Sequence, residues 1–159
     1  VSARLACLAI AVTLLAGCGG YSSSPSGNGG RLTKVEWIAA ADEICARSKA
    51  EASDLPAPES ASALVTQLDS LIRIFSREVD DLKTLTPQVS EQAKAAAVVE
   101  AAGLQITLAK ELQKVARTGD TAAIQAFAKA NQPKVEQAQR VAGAYGLKVC
   151  GSGRQPAGG

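Results

Sequence analysis

From Thr33 onward the apolar residues recur every three or four positions, in four blocks divided by turn-forming residues. That spacing lines one face of an α-helix. In the first block Ile38, Ala41, Cys45, Ser48 and Ala52 share a face. Thr33 and Glu36 ahead of it fit a capping box, in which each side chain satisfies the other residue's backbone N–H. Leu55-Pro56-Ala57-Pro58 ends the block, because proline disfavours helical backbone in the residue before it. The second helix is predicted from about Glu59 to Leu85, on the stripe Leu64, Leu68, Leu71, Phe75, Val79 and Leu82. Asp69, Arg73, Arg77, Glu78, Asp80 and Lys83 fall on its other faces. Thr86 is expected to cap a third helix, with Pro87 at its first position, where a missing N–H costs nothing. That helix runs to about Arg117 on Ala93, Ala97, Ala101, Leu104, Leu108, Leu112 and Val115, a face small enough for close helix approach. Gly119 reads as its C-cap and Asp120 as the N-cap of the fourth. The fourth stripe is Ile124, Phe127, Asn131, Val135, Ala138, Ala142 and Tyr145. Pro133 lies inside it and predicts a kink or a break. Gly146 reads as a left-handed stop, with Leu147 folding back. No segment alternates apolar and polar residues over strand length. The expected fold is all-α, an antiparallel up-down four-helix bundle over residues 32–151.

Residues 1–17, VSARLACLAIAVTLLAG, follow a different grammar: Arg4, then an apolar run from Leu5 to Leu15, then small residues. This is the pattern of a secretory signal, and the run is shorter than the roughly 20 residues of a membrane-spanning helix. Val1 is read as an alternative start codon. Leu15-Ala16-Gly17-Cys18 matches the bacterial lipobox. Cleavage is expected between Gly17 and Cys18, with a diacylglyceryl group on the Cys18 thiol. Acyl chains anchor by about 0.8 kcal/mol per buried CH₂, and two chains hold where one is marginal. Residues 18–31 include the Gly/Ser-rich stretch GGYSSSPSGNGG, expected to be a flexible tether. Residues 152–159 are expected to be a disordered tail.

The chain has four cysteines. Cys7 leaves with the leader and Cys18 carries lipid, so Cys45 and Cys150 remain in an oxidising compartment. An even remainder there favours a structural disulfide, and neither residue sits in a C-x-x-C pair.

Charge narrows the function classes. Lys and Arg number 17 against 15 Asp and Glu, so removing Arg4 lowers the net charge from +2 to +1. No basic tail or stripe marks a nucleic-acid binder. The sequence has no His and no Met. That removes histidine general bases, catalytic triads, most zinc and copper sites, and the usual haem ligands. No metal or other cofactor is expected. Asp42-Glu43 and Asp80-Asp81 are adjacent carboxylates, which diverge by about 100° on a helix, so neither pair converges. Both pairs are read as solvated helix surface, with a bond from Asp42 to a loop or a neighbouring helix as the alternative. Trp37, the sole tryptophan, is expected to pack across helix ends, and Asn131 to satisfy backbone groups near Pro133. Lys129, Lys134, Arg140 and Lys148 read as a solvated face.

Ala41-Asp42-Glu43-Ile44-Cys45 and the ending Gly146-Leu147-Lys148-Val149-Cys150 together resemble a group of small secreted or lipid-anchored helical proteins of actinobacteria. Arg117-Thr118-Gly119-Asp120 fits the same pattern. The resemblance spans roughly Leu32 to Gly151. It implies a bundle whose first helix is tied to the chain's end by a disulfide, and it implies no activity.

The expected protein is therefore a non-enzymatic lipoprotein on the outer face of the bacterial cytoplasmic membrane. It is read as an interaction module for an envelope protein or a cell-wall component. The alternative is a carrier of a small molecule or lipid, in an apolar cavity left by the Ala-rich third helix. A cavity of roughly 300 Å³ or more favours the carrier. A filled core with a large exposed apolar patch favours the module.

Overall fold

The computed structural model describes residues 30–150. The leader, Cys18, the tether up to residue 29 and the tail lie outside the described residues. Within them the chain forms α1 (Lys34–Ser53), α2 (Ala61–Thr84), α3 (Gln92–Ala116) and α4 (Thr121–Tyr145). The fold is the expected all-α four-helix bundle. Among the described residues the extended pairing is a single β-bridge between Leu32 and Pro87.

Cross-helix contacts show that successive helices run antiparallel. Leu32, just before α1, donates its N–H to Thr86 O at 2.8 Å, just after α2. At the opposite end Gln67 of α2 donates to Pro56 O at 2.9 Å, just past α1. Gln113, late in α3, donates to Asp69 Oδ1 at 2.6 Å, early in α2. Ala95 and Val98, early in α3, share a core cluster with Ala142 and Tyr145, late in α4.

Most helix boundaries follow local chemistry. Glu36 Oε2 accepts from Thr33 N at 2.8 Å and Glu36 N donates to Thr33 Oγ1, which completes the capping box. These bonds hold the Glu36 carboxyl below its ordinary pKa. Ser60 and Asp120 cap α2 and α4 through their side-chain oxygens. Gly146 stops α4 at φ 117°, and Leu147 N–H returns to Ala142 O at 3.1 Å. A Cβ at Gly146 would lie 3.0 Å from Ile38 Cδ1, so the close approach of α1 also favours glycine there.

The structure corrects four expectations. Thr86 does not cap α3: residues 85–88 run extended to pair with Leu32, a 3-10 turn follows at Val89–Glu91, and α3 begins at Gln92. Of the two outcomes expected at Pro133, a kink or a split, the split does not occur: α4 runs as one helix from Thr121 to Tyr145. Pro133 and Lys129, whose carbonyl loses the Pro133 donor, both face water. Asn131 donates instead to Phe127 O, at 3.0 Å. The buried face at the start of α3 is Ala95 and Val98, while Ala93 and Ala97 are exposed. Glu78, expected on an outer face of α2, is buried.

Apolar burial divides into two clusters. One, at the end where α1 begins, gathers Trp37, Ala41, Ile44, Leu82, Val98 and Tyr145 among others. The other, built on Leu68, Ala109 and Ala116, draws on α2, α3 and α4 without α1. The first helix therefore seals one end of a three-helix body.

Candidate functional site

The two motifs singled out in the sequence meet in space. Cys45 and Cys150 form a disulfide, with Cα atoms 5.3 Å apart across a separation of 105 residues. Asp42, one turn before Cys45, organises the returning chain. Its carboxylate accepts from the backbone N–H of Lys148 at 3.0 Å, of Val149 at 2.8 Å and of Cys150 at 3.4 Å. These N–H groups lie just past the Gly146 stop of α4. Asp42 therefore bonds a loop and acts as a structural clasp beside the disulfide. Glu43 and the Asp80–Asp81 pair remain at the surface, and Asp80 and Asp81 pair with Lys83 and Arg47.

Trp37 is fully buried and meets the Tyr145 ring edge-on at 5.3 Å between centroids. Lys34 Nζ lies 5.0 Å over the other aromatic partner, Tyr145. Burial raises the Tyr145 phenol above its ordinary pKa, and the nearby Glu91 carboxylate raises it further. Trp37 Nε1, Tyr145 Oη and Glu91 Oε2 are buried without a formed hydrogen bond. The Tyr145 phenol and the Glu91 carboxylate lie against each other, whereas the Trp37 indole N–H is left as a buried donor, at a cost of about 1–3 kcal/mol.

Beside Trp37 opens a groove of about 1180 Å³. It lies over the N-terminal half of α3, between the last turns of α2 and residues 133–141 of α4. Leu82, Leu85, Ala96, Val99, Leu104 and Val141 are among its walls, which are mainly apolar. Lys83, Glu100 and Lys134 stand among the residues that line it. Its cause is local: Ala95, Ala96, Ala97, Ala101 and Gly103 give α3 too little side chain to fill the space between its neighbours. A Cβ at Gly103 would meet nothing within 4 Å.

A second cavity, about 440 Å³, lies between all four helices and borders the disulfide. Leu71, Phe75, Ala101, Ala138 and Ala142 line it, together with Glu78. Burial pushes the Glu78 carboxyl above its ordinary pKa, against a smaller opposing effect of its hydrogen bond to Ser48. Among the described residues no group of three His, Cys, Asp or Glu side chains converges for a metal, and no helix is long and apolar enough to cross a membrane.

Sequence reasoning found the disulfide and the packing of Trp37, and held two further features only as alternatives: an apolar cavity beside Ala-rich α3, where the groove lies, and a bond from Asp42 to a loop. It missed the burial of Glu78. Cys18 and the Gly17 cleavage point lie outside the described residues. Compared with known protein families, curated proteins and solved structures, the chain matches none.

Proposed function

We propose that this chain is a non-enzymatic bacterial lipoprotein, anchored through a diacylglyceryl group on Cys18 to the outer face of the cytoplasmic membrane, and that its bundle carries an apolar molecule of lipid size. The lipobox, the Gly/Ser-rich tether and the disulfide of an exported protein support the anchoring. One observation carries the ligand reading: the apolar groove over α3. Its volume of about 1180 Å³ exceeds the roughly 300–1,000 Å³ usual for small-molecule sites. A long-chain molecule therefore fits better than a compact metabolite. Trp37 backs the groove wall as a fully buried side chain and adds to its apolar character.

The groove favours the carrier over the interaction module. The module keeps one supporting observation, because the groove is open enough to receive an amphipathic segment of another protein. The experiment separates the two. Protein purified from intact cells is examined by native mass spectrometry, beside a Gly103→Leu variant whose new side chain enters open space. The expected result is a co-purifying apolar molecule that Gly103→Leu loses while the melting temperature holds. No bound molecule, together with an acyl-chain probe that binds both forms equally, refutes the carrier. A cross-linked protein partner lost in Gly103→Leu would transfer the reading to the module. In the same cells, palmitate labelling that survives Cys18→Ala refutes the anchor.

A further inference from the structure

We infer that the smaller cavity between the four helices is a second binding site, and that it takes an organic amine: one ammonium group on a compact apolar body, held by the Glu78 carboxylate. This site is separate from the groove, and it does not depend on what the groove carries.

The cavity volume, about 440 Å³, falls inside the roughly 300–1,000 Å³ of small-molecule sites. Its lining fits the same class. Leu71, Phe75, Val98, Ala138 and Ala142 give it apolar walls, and Glu78 is the acidic side chain among them. The register of α2 explains how it comes to be there. Leu71, Phe75, Glu78 and Leu82 follow one another at helical spacing and share one face. Val79, the next residue after Glu78, lines the groove instead. Glu78 therefore takes the cavity-side place in an apolar stripe, and it is only 7% exposed.

What this carboxyl lacks is a cation. Arg77, its neighbour in sequence, pairs with Glu51, and Arg47 on α1 pairs with Asp81. The Cys45 sulfur lies 3.8 Å from Glu78 Oε1, but a bridged sulfur has no hydrogen to donate. Ser48 supplies a hydrogen bond, and burial outweighs it. Lys49 is the other charged residue of the lining, and it is exposed. The side chains that α3 and α4 contribute to the lining are all uncharged. A buried carboxyl costs stability unless a partner compensates. A carboxyl kept in a cavity at such a cost marks a site for a ligand that supplies the partner. An ammonium group does so, in a place where water competes weakly for the pair. Phe75, one turn before Glu78, adds an aromatic ring to the same lining, and an aromatic face attracts a cation.

Ala101 and Ala138 line both the cavity and the groove, so the test separates the two spaces. The full chain with Cys18→Ala is titrated by calorimetry with octylamine, octanol and octanoate. At neutral pH the ammonium form of octylamine should bind at least about tenfold more tightly than octanol, the worth of one hydrogen bond to a charged group. Octanoate should bind most weakly. Glu78→Gln keeps the side chain's shape and should remove the preference for the amine, with octanol binding as before. The parent chain gives a second measurement that needs no variant. Its affinity for octylamine should fall as pH drops from neutral toward 4.5, because a proton competes with the ammonium group for Glu78. Its affinity for octanol should stay level. No binding of the amine, equal affinity for amine and alcohol, or a preference for octanoate overturns the inference. So does a preference that survives Glu78→Gln or does not change with pH. A preference abolished by Gly103→Leu assigns the amine to the groove and overturns it too. A preference that persists in Gly103→Leu supports the cavity whatever becomes of the groove's own ligand, so the two readings fail separately.

Discussion

Replacing both bridged cysteines, as Cys45→Ala/Cys150→Ala, tests whether the disulfide is what makes four helices one unit. The bond closes a loop with a sequence separation of 105. For a loop of that size the chain-entropy relation gives about 4.8 kcal/mol of denatured-state destabilisation. The contacts beside it survive the substitution: the Asp42 clasp, the Gly146 stop and the Trp37–Tyr145 pair do not involve sulfur. The native state should therefore keep its shape, and nearly all the loss should appear as a looser unfolded chain. Against a typical domain stability of about 5–15 kcal/mol, a loss of about 3–5 is a large share. At roughly 4 °C per kcal/mol for a domain of this size, the melting temperature should fall by about 10–20 °C. Circular dichroism melts and urea titrations of the two forms measure it. The urea m-value should rise, because the unlinked chain exposes more surface when it unfolds. A fall of less than about 4 °C with an unchanged m-value would refute the reasoning. It would mean that the unfolded chain is equally compact without the bond.

Two further predictions concern carboxylates on either side of that bond. Asp42→Ala leaves the N–H groups of Lys148, Val149 and Cys150 without their acceptor, and should cost about 2–3 kcal/mol. It should also speed reduction of the disulfide by dithiothreitol, followed by alkylation and mass spectrometry; an unchanged rate would deny Asp42 its clasping role. Glu78 has a folded pKa raised above the ordinary value of 4.5 by burial. The native state then holds more protons than the unfolded state between the two pKa values, so stability falls as pH rises through that window and the penalty is complete above it. Glu78→Gln should therefore melt higher than the parent at neutral pH, with the gap closing toward pH 4.5, and a gap independent of pH would refute this.

What could be read from sequence was whatever depends on near neighbours in the chain. Thr33 with Glu36, Asp120 and the Gly146–Leu147 stop each act within a few residues, and each sits where the pattern placed it. The stripe of α2 was legible because leucines there contrast with charges. In α3 that contrast is missing: with alanine on several faces, the choice between Ala93–Ala97 and Ala95–Val98 falls to α2 and α4. Thr86 had the right chemistry for a cap, but pairing of its segment with Leu32, more than fifty residues away, prevailed. Pro133 was tolerated because the carbonyl it deprives of a donor faces water. Glu78 was misplaced because its burial depends on the disulfide region of α1 packing over α2. The groove was legible only as spare volume beside Ala-rich α3; its place and extent are set by three helices together. The pairing of Cys45 with Cys150 was legible because the expected loss of Cys7 and lipidation of Cys18 leave no other partner.

The disulfide also determines how the molecule would bear a load. A pull between the tether side of Gly30 and the chain beyond Cys150 would enter α1, reach Cys45 and cross directly to Cys150 through the sulfur bridge. The loop from α2 through α4, with the groove and both apolar clusters' α2–α4 walls, lies outside that path. Only the segment before Cys45 can lengthen, and at about 3.3–3.6 Å per residue its extension is bounded at roughly 50 Å. Under such tension the chain would give up the first half of one helix, while the covalent ring stays closed.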